Sequence, residues 1–221
     1  MTTLLQLDSS AGGAASRSRA VTAAFAEAWR ARAAAGSTAG STFRDDDRRV
    51  ITRDLHADPP AHLPSAALHW GAGLVAGTRP ADWERAQHVF IDELLTADVL
   101  LVGVPLYNYS MPSTLKAWVD HVHVPGLTAG MPKLPLRGRH AVLVSSRGGR
   151  YGDGAAPDAW DHATSALEVV LGESMGMTTH RIVVDGTIAF DLEQFAADRE
   201  AAQESLDAAL EAARRLASEL G

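Results

Sequence analysis

Hydrophobic and polar positions follow two rhythms along this chain: short unbroken apolar runs, and longer stretches with a helical period between them. Runs at residues 3–7, 50–55, 99–104, 140–145 and 180–185 have the length of strands. Val99-Leu100-Leu101-Val102-Gly103-Val104 and Ala141-Val142-Leu143-Val144 lack polar alternation, as expected of strands covered on both faces. In the first helical stretch Val21, Phe25 and Trp29 fall four residues apart, Ser16 and Ser18 can cap its start, and it runs to Ala35. Residues 81–96 carry a stripe of Phe90, Ile91, Leu94 and Leu95, and residues 113–122 form a helix after Pro112. Residues 159–171 read as a helix ended by Gly172, with Gly176 in the turn beyond. Residues 192–220 read as one alanine-rich terminal helix with Phe195, Leu206, Leu210 and Leu216 turned inward. Five strands alternating with helices predict an α/β fold, a doubly wound parallel sheet with helices on both faces. Residues 36–40, 58–80 and 125–138 are loops or irregular connections and mark no boundary, so residues 1–221 are expected to form a single domain.

Charge and composition narrow the classes of function. With 20 basic and 27 acidic residues, a net of −7, no basic stripe is available for nucleic acid or an anionic membrane surface. The absence of cysteine removes disulfides, thiolate metal sites, iron–sulfur clusters and cysteine nucleophiles. No apolar run reaches transmembrane length, and Met1-Thr2-Thr3-Leu4 lacks the basic start of an export signal, so a cytoplasmic protein is expected.

The chemistry concentrates in three loops that follow strands. Pro105-Leu106-Tyr107-Asn108-Tyr109-Ser110-Met111-Pro112 is a stiff, proline-bracketed loop that holds rings and an amide at the carboxyl end of a buried strand. That edge of an open parallel sheet is where ligands bind, and a planar aromatic cofactor suits it. The loop before the first helix presents Ser9, Ser10, Ser16 and Ser18, hydroxyls that suit a phosphate dianion at a helix N-terminus but that also serve as plain helix caps. The third loop, Ser146-Arg147-Gly148-Gly149, lets backbone approach a ligand closely and can bring the Arg147 charge toward an electron-rich ring; equally, it is a turn with a solvated arginine.

Other features carry no chemistry. No P-loop or Gly-x-Gly-x-x-Gly run is present, Gly149, Gly152 and Gly154 included, and there is no Gly-x-Ser-x-Gly elbow. His121 and His123 lack a third ligand at metal-site spacing and read as structural. Asp45-Asp46-Asp47 before Arg48-Arg49 reads as a solvated turn, and Trp29, Trp70, Trp83, Trp118 and Trp160 as core or interface residues.

With these loops in hand, the chain resembles the FMN-dependent NADH-azoreductase family within the flavodoxin-like NAD(P)H:quinone oxidoreductases. The resemblance runs over nearly the whole chain: Ser9-Ser10, Ser16-Arg17-Ser18, Pro105-Leu106-Tyr107-Asn108-Tyr109, Leu115-Lys116 with Asp120, and Ser146-Arg147-Gly148-Gly149. It implies a five-stranded sheet of order 2-1-3-4-5 with FMN as cofactor. Ser10, Ser16, Arg17 and Ser18 would hold the phosphate and ribityl side. Leu106, Tyr107, Asn108, Tyr109, Ser146, Arg147, Gly148 and Gly149 would surround the isoalloxazine. It further implies NADH or NADPH as donor, alternating half-reactions, a small aromatic acceptor such as an azo compound or quinone, and a homodimer with the flavin near the subunit boundary. The flavin carries the chemistry, so no catalytic side chain is assigned; Tyr109 and Tyr151 are candidate acceptor contacts. One departure concerns residues 123–138, which hold three prolines and no aromatic ring where the family places aromatics in the acceptor pocket. Two alternatives remain at this level: a dedicated biosynthetic flavoenzyme acting on one tailored intermediate, and a non-enzymatic flavodoxin-like electron carrier.

Overall fold

The computed structural model describes residues 2–35, 48–152 and 157–220; the expected loop at 36–40, the Asp45-Asp46-Asp47 run and Gly154 lie outside them. Five strands, β1 (Thr2–Asp8), β2 (Arg48–Asp54), β3 (Val99–Pro105), β4 (His140–Ser146) and β5 (Thr178–Val184), form one sheet in the order β2-β1-β3-β4-β5. Every pairing is parallel, so the chain must cross over a face between strands. The helices that make those crossovers are α1 (Arg17–Ala35), α2 (Ala81–Thr96), α3 (Ser113–Val122) and α4 (His162–Leu167), and α5 (Arg199–Leu220) follows the last strand. The expected strand order is thereby found, with its switch point between β1 and β3.

Two apolar cores sandwich the sheet. On one face Val21, Phe25 and Trp29 of α1 pack with Leu101, Val142 and Val144, and α5 closes over them. On the other, Leu115, Trp118 and Val122 of α3 and Ile91 and Leu94 of α2 cover Leu100, Val102 and Leu143. All residues of β3 are buried, as its unbroken apolar run requires.

Three helix boundaries differ from the sequence expectation, and β2 and β5 each begin two residues earlier than their apolar runs. The helix expected from 159 starts at His162, because the Asp161 carboxylate caps it through the Thr164 N–H. It then continues past Gly172 as a π-helical stretch, Glu168–Ser174, which keeps Leu167, Leu171 and Met175 buried; the chain turns at Gly176, φ +82°. The terminal helix starts at Arg199 rather than 192, since Phe195 breaks the preceding 3₁₀ turn with φ −109° and ψ 17°. Its innermost stripe is Ala202, Leu206, Ala209, Ala213 and Ala217, with Leu210 and Leu216 packed at the margin.

The excursion at 58–80 docks rather than hangs free. The Gly71 N–H donates to the Pro125 carbonyl, and Arg79 ties down the carbonyls of Ala67 and Trp70. His121 and His123 serve this packing and that of α4: their ring nitrogens meet the Ala61 carbonyl and the Ser174 hydroxyl, each at 2.8 Å.

Candidate functional site

All three loops emerge at the carboxyl edge of the sheet, flanking the switch point. Ser10, Gly12, Ala15, Ser16 and Arg17 form one wall of a cleft of about 420 Å³; Pro105, Leu106 and Tyr107 form a second, and Ser146 with Gly148 a third. Seven of the residues picked out by the motifs therefore meet in one place: Ser10, Ser16, Arg17, Leu106, Tyr107, Ser146 and Gly148.

The first loop is shaped from beneath. Asp8, the last residue of β1, is buried and accepts hydrogen bonds from Thr22 Oγ1 at 2.7 Å and Gln6 Nε2 at 2.9 Å. Burial pushes its carboxyl above the usual carboxylate range, against the lowering effect of those two donors. Glycine at the neighbouring position 103 leaves it room: a Cβ there would stand 3.1 Å from Asp8 Oδ1 and press on the carboxylate. Arg19 clamps the loop from the side, donating to the Ser10 carbonyl at 2.8 Å and forking onto both oxygens of Asp54 at 2.7 Å. That guanidinium holds the Asp54 carboxyl down at about 2. Ser18 is fully buried and sits 3.1 Å from Ser16 Oγ, so it orients the Ser16 hydroxyl instead of facing the cleft.

The second loop is a two-residue hairpin. Tyr107 and Ser110 exchange N–H···O bonds at 2.9 and 3.0 Å, and Asn108 and Tyr109 both have positive φ, +49° and +65°. Positive φ at both central positions is the signature of a type I′ turn, which Asn tolerates and Tyr resists. The turn splits the aromatics: Tyr107 lines the cleft, while Asn108 and Tyr109 face an open hollow of about 460 Å³ with Trp160 and His162. Tyr109 meets Trp160 edge-on at 5.7 Å, and roughly half of each side chain is exposed.

In the third loop, the side chain and the backbone have different tasks. The Arg147 side chain is buried beneath the loop, paired with Asp185 at 2.6 and 2.9 Å and Asp158 at 2.8 Å, and stacked on the Tyr151 ring at 4.8 Å. Gly148 and Gly149 turn their carbonyls to the N–H groups of Ile188 and Gly186. Among the described residues, their own N–H groups meet no acceptor. A Cβ on Gly148 would meet only Ile188, at 3.8 Å, and otherwise open space. Gly149 borders an adjoining cavity of about 380 Å³ between this loop and α5.

Sequence reasoning missed the fourth wall, Thr187, Ile188 and Asp191, which follows β5 and carries no motif. It also passed over Asp8, whose place at the end of an apolar strand was the available signal, and the exposed Trp160.

The cleft thus has two ends of different character. Hydroxyls of Ser10 and Ser16, the Arg17 guanidinium and the first-turn N–H groups of α1, which have no intrahelical acceptor, make one end donor-rich. Leu106, Tyr107, Ile188 and bare Gly148 backbone make the other flat and apolar with amide donors. A phosphorylated planar heterocycle fits both.

Comparison with known proteins agrees with that shape. A family model described as flavodoxin-like fold matches residues 2–216. An FMN-dependent NADH:quinone oxidoreductase of Kineococcus radiotolerans is 47% identical over 98% of this chain and 99% of its own length. One of the same name from Streptomyces coelicolor is 40% identical over 86% of this chain and 81% of its own. In fold, the azoreductase of Bacillus anthracis superposes with a TM-score of 0.74 at 21% identity, covering 99% of this chain and all of that one. The chain belongs to the flavodoxin-like family of FMN-dependent NADH:quinone oxidoreductases.

Proposed function

We propose that this protein is an FMN-dependent NAD(P)H oxidoreductase that reduces quinone, azo or related small aromatic acceptors in alternating half-reactions. The observation that carries the reading is one cleft with donors at both ends: the Ser10 and Ser16 hydroxyls with the Arg17 guanidinium at one, and the Gly148 backbone, whose N–H meets no acceptor among the described residues, at the other. When bound, FMN supplies acceptance of hydride from the nicotinamide and its delivery to the acceptor. The protein's part is binding, orientation and electrostatics.

In this reading Ser10, Ser16 and Arg17 hold the phosphate, and Ser18 fixes the rotamer of Ser16. Leu106 and Tyr107 flank the ring, and Asn108 sets the turn that holds Tyr107 against it. The N–H groups of Gly148 and Gly149 favour negative charge on the carbonyl edge of the ring when it is reduced. Ser146 and Arg147 build that loop, Arg147 through its carboxylate pairs. Tyr109 and Tyr151 are acceptor-side contacts, and the exposed Trp160 ring beside Tyr109 supplies aromatic surface that residues 123–138 lack. Such exposed aromatics beside a cleft also fit a subunit boundary, so we place the protein as a homodimer. Among the described residues no helix is long and apolar enough to cross a membrane. The lack of cysteine and the use of a nicotinamide donor support a cytoplasmic setting.

The purified protein's visible spectrum tests this. A bound flavin chromophore that bleaches on anaerobic NADH and recovers with a quinone is expected. A colourless protein that takes up no FMN at micromolar concentration overturns it.

A further inference from the structure

The cleft's one arginine stands out by what faces it. Arg19, Arg53, Arg147 and Arg181 are each paired with a carboxylate at 2.5–2.8 Å. Arg17 has no carboxylate within ion-pair distance among the described residues. Its guanidinium instead lies over the Phe190 ring, 4.2 Å from the centroid. A ring supports a guanidinium through its face and leaves the N–H edge free to fork onto an anion.

Phe190 is itself firmly held. It ends the 3₁₀ turn Thr187–Phe190 and packs half-buried against the core under α1 and α5. That turn is stitched to the third loop by three backbone bonds, Gly186 N–H to Gly149, Thr187 N–H to Arg147 and Ile188 N–H to Gly148, at 3.0–3.2 Å. Arg199 of α5 anchors its far side through the Ala189 carbonyl at 3.0 Å. One short turn therefore sets the glycine loop at one end of the cleft and the free cation at the other.

We propose that Phe190 is a positioning residue for the cofactor phosphate: its ring presents the Arg17 guanidinium to the cleft and makes the site prefer FMN over unphosphorylated riboflavin. This rests on the reading that residues 10–18 form the phosphate end. Riboflavin offers that guanidinium a neutral hydroxyl in place of a dianion, so the contribution of Phe190 falls chiefly on the phosphorylated flavin.

The test is fluorescence titration of FMN and of riboflavin with full-length protein stripped of flavin, with thermal unfolding of each variant alongside. Phe190→Leu keeps apolar bulk and removes the ring face. It is expected to weaken FMN about 3- to 10-fold, with riboflavin changed less than about twofold. Phe190→Tyr should keep the wild-type ratio. Arg17→Gln should weaken FMN at least as much as Phe190→Leu, and adding Phe190→Leu to it should cost nothing more. The proposal is overturned if Phe190→Leu weakens both flavins alike, if it leaves the FMN/riboflavin ratio intact while Arg17→Gln lowers it, or if it still costs FMN affinity in the Arg17→Gln background. If Arg17→Gln itself leaves the ratio unchanged, the phosphate-end reading fails, and the role of Phe190 with it.

Discussion

The Tyr107 hydroxyl stands 3.3 Å from Ser10 Oγ, joining two loops that are 97 residues apart in sequence. The same oxygen accepts the Ala11 N–H at 3.1 Å, so one exposed phenol fixes the wall of the first loop from across the cleft. Tyr107→Phe removes both contacts and keeps the ring. A net hydrogen bond contributes about 1 kcal/mol to stability, so the melting temperature should fall by roughly 2–4 °C, and FMN affinity should fall with it as the wall loosens. Unaltered FMN binding in Tyr107→Phe would show that the loop holds its shape without the bridge.

Asn108 separates backbone from side-chain roles. At φ +49° it occupies a conformation that glycine adopts freely and that costs alanine about 1 kcal/mol or more. Asn108→Gly should therefore keep the melting temperature, while Asn108→Ala lowers it. If the amide contacts the flavin, both variants lose flavin affinity or hydride-transfer rate. Full retention by Asn108→Gly would reduce Asn108 to a turn residue.

What could be read from the sequence follows from how local each signal is. β3 and β4 were legible because strands covered on both faces need unbroken apolar runs, and α2 because Phe90, Ile91, Leu94 and Leu95 form one apolar stripe. The loop walls were legible where residue chemistry is distinctive, as at Ser10, Tyr107 and Gly148. Thr187, Ile188 and Phe190 were not, because only the return of the chain after β5 brings them to the cleft. Trp160 reads from sequence as core or interface, and its exposure was not legible because nothing local shows that Asp161 delays the start of α4 and leaves the preceding turn exposed. The start of α5 was misplaced because helical spacing continues through 192–198, while the break at Phe195 lies in the backbone.

Arg147 is the most consequential side chain beneath the third loop. Its side chain is 5% exposed, and its loss would take from partly buried Asp185 and buried Asp161 the cation they share. Removing one partner of a buried pair costs about 3–5 kcal/mol. Exposed Asp158 can relax into water, so Arg147→Ala should cost about 3 kcal/mol, or roughly 6–12 °C in melting temperature for a chain of this size. Arg147→Lys cannot fork onto Asp185 and should recover only part of that loss. A melting temperature within about 2 °C of wild type for Arg147→Ala would refute the pairing as a stabilising device.

Stability should fall toward acid pH in two steps. Burial lowers the pKa of His121, His123 and His180, and in His180 the neighbouring His140 adds to it. For these groups the unfolded chain binds protons that the folded one resists. Stability is thus complete above the ordinary value of 6.5 and declines as pH drops below it. His140 Nδ1 and His180 Nε2 lie 3.0 Å apart, a contact that needs at least one neutral nitrogen and becomes repulsive when both rings are charged. The second step belongs to Asp54, whose pKa of about 2 means that its contribution is present above 3.8 and is lost as pH falls through 3.8 toward 2. Melting curves from pH 8 to pH 3 should show a first decline near and below 6.5, made shallower by His180→Gln, and a second below about 4, made shallower by Asp54→Asn. A melting temperature that stays flat from pH 8 to pH 5 would mean that the buried histidines titrate alike in the folded and unfolded chains, and the paired rings would then not act as an acid-sensitive contact.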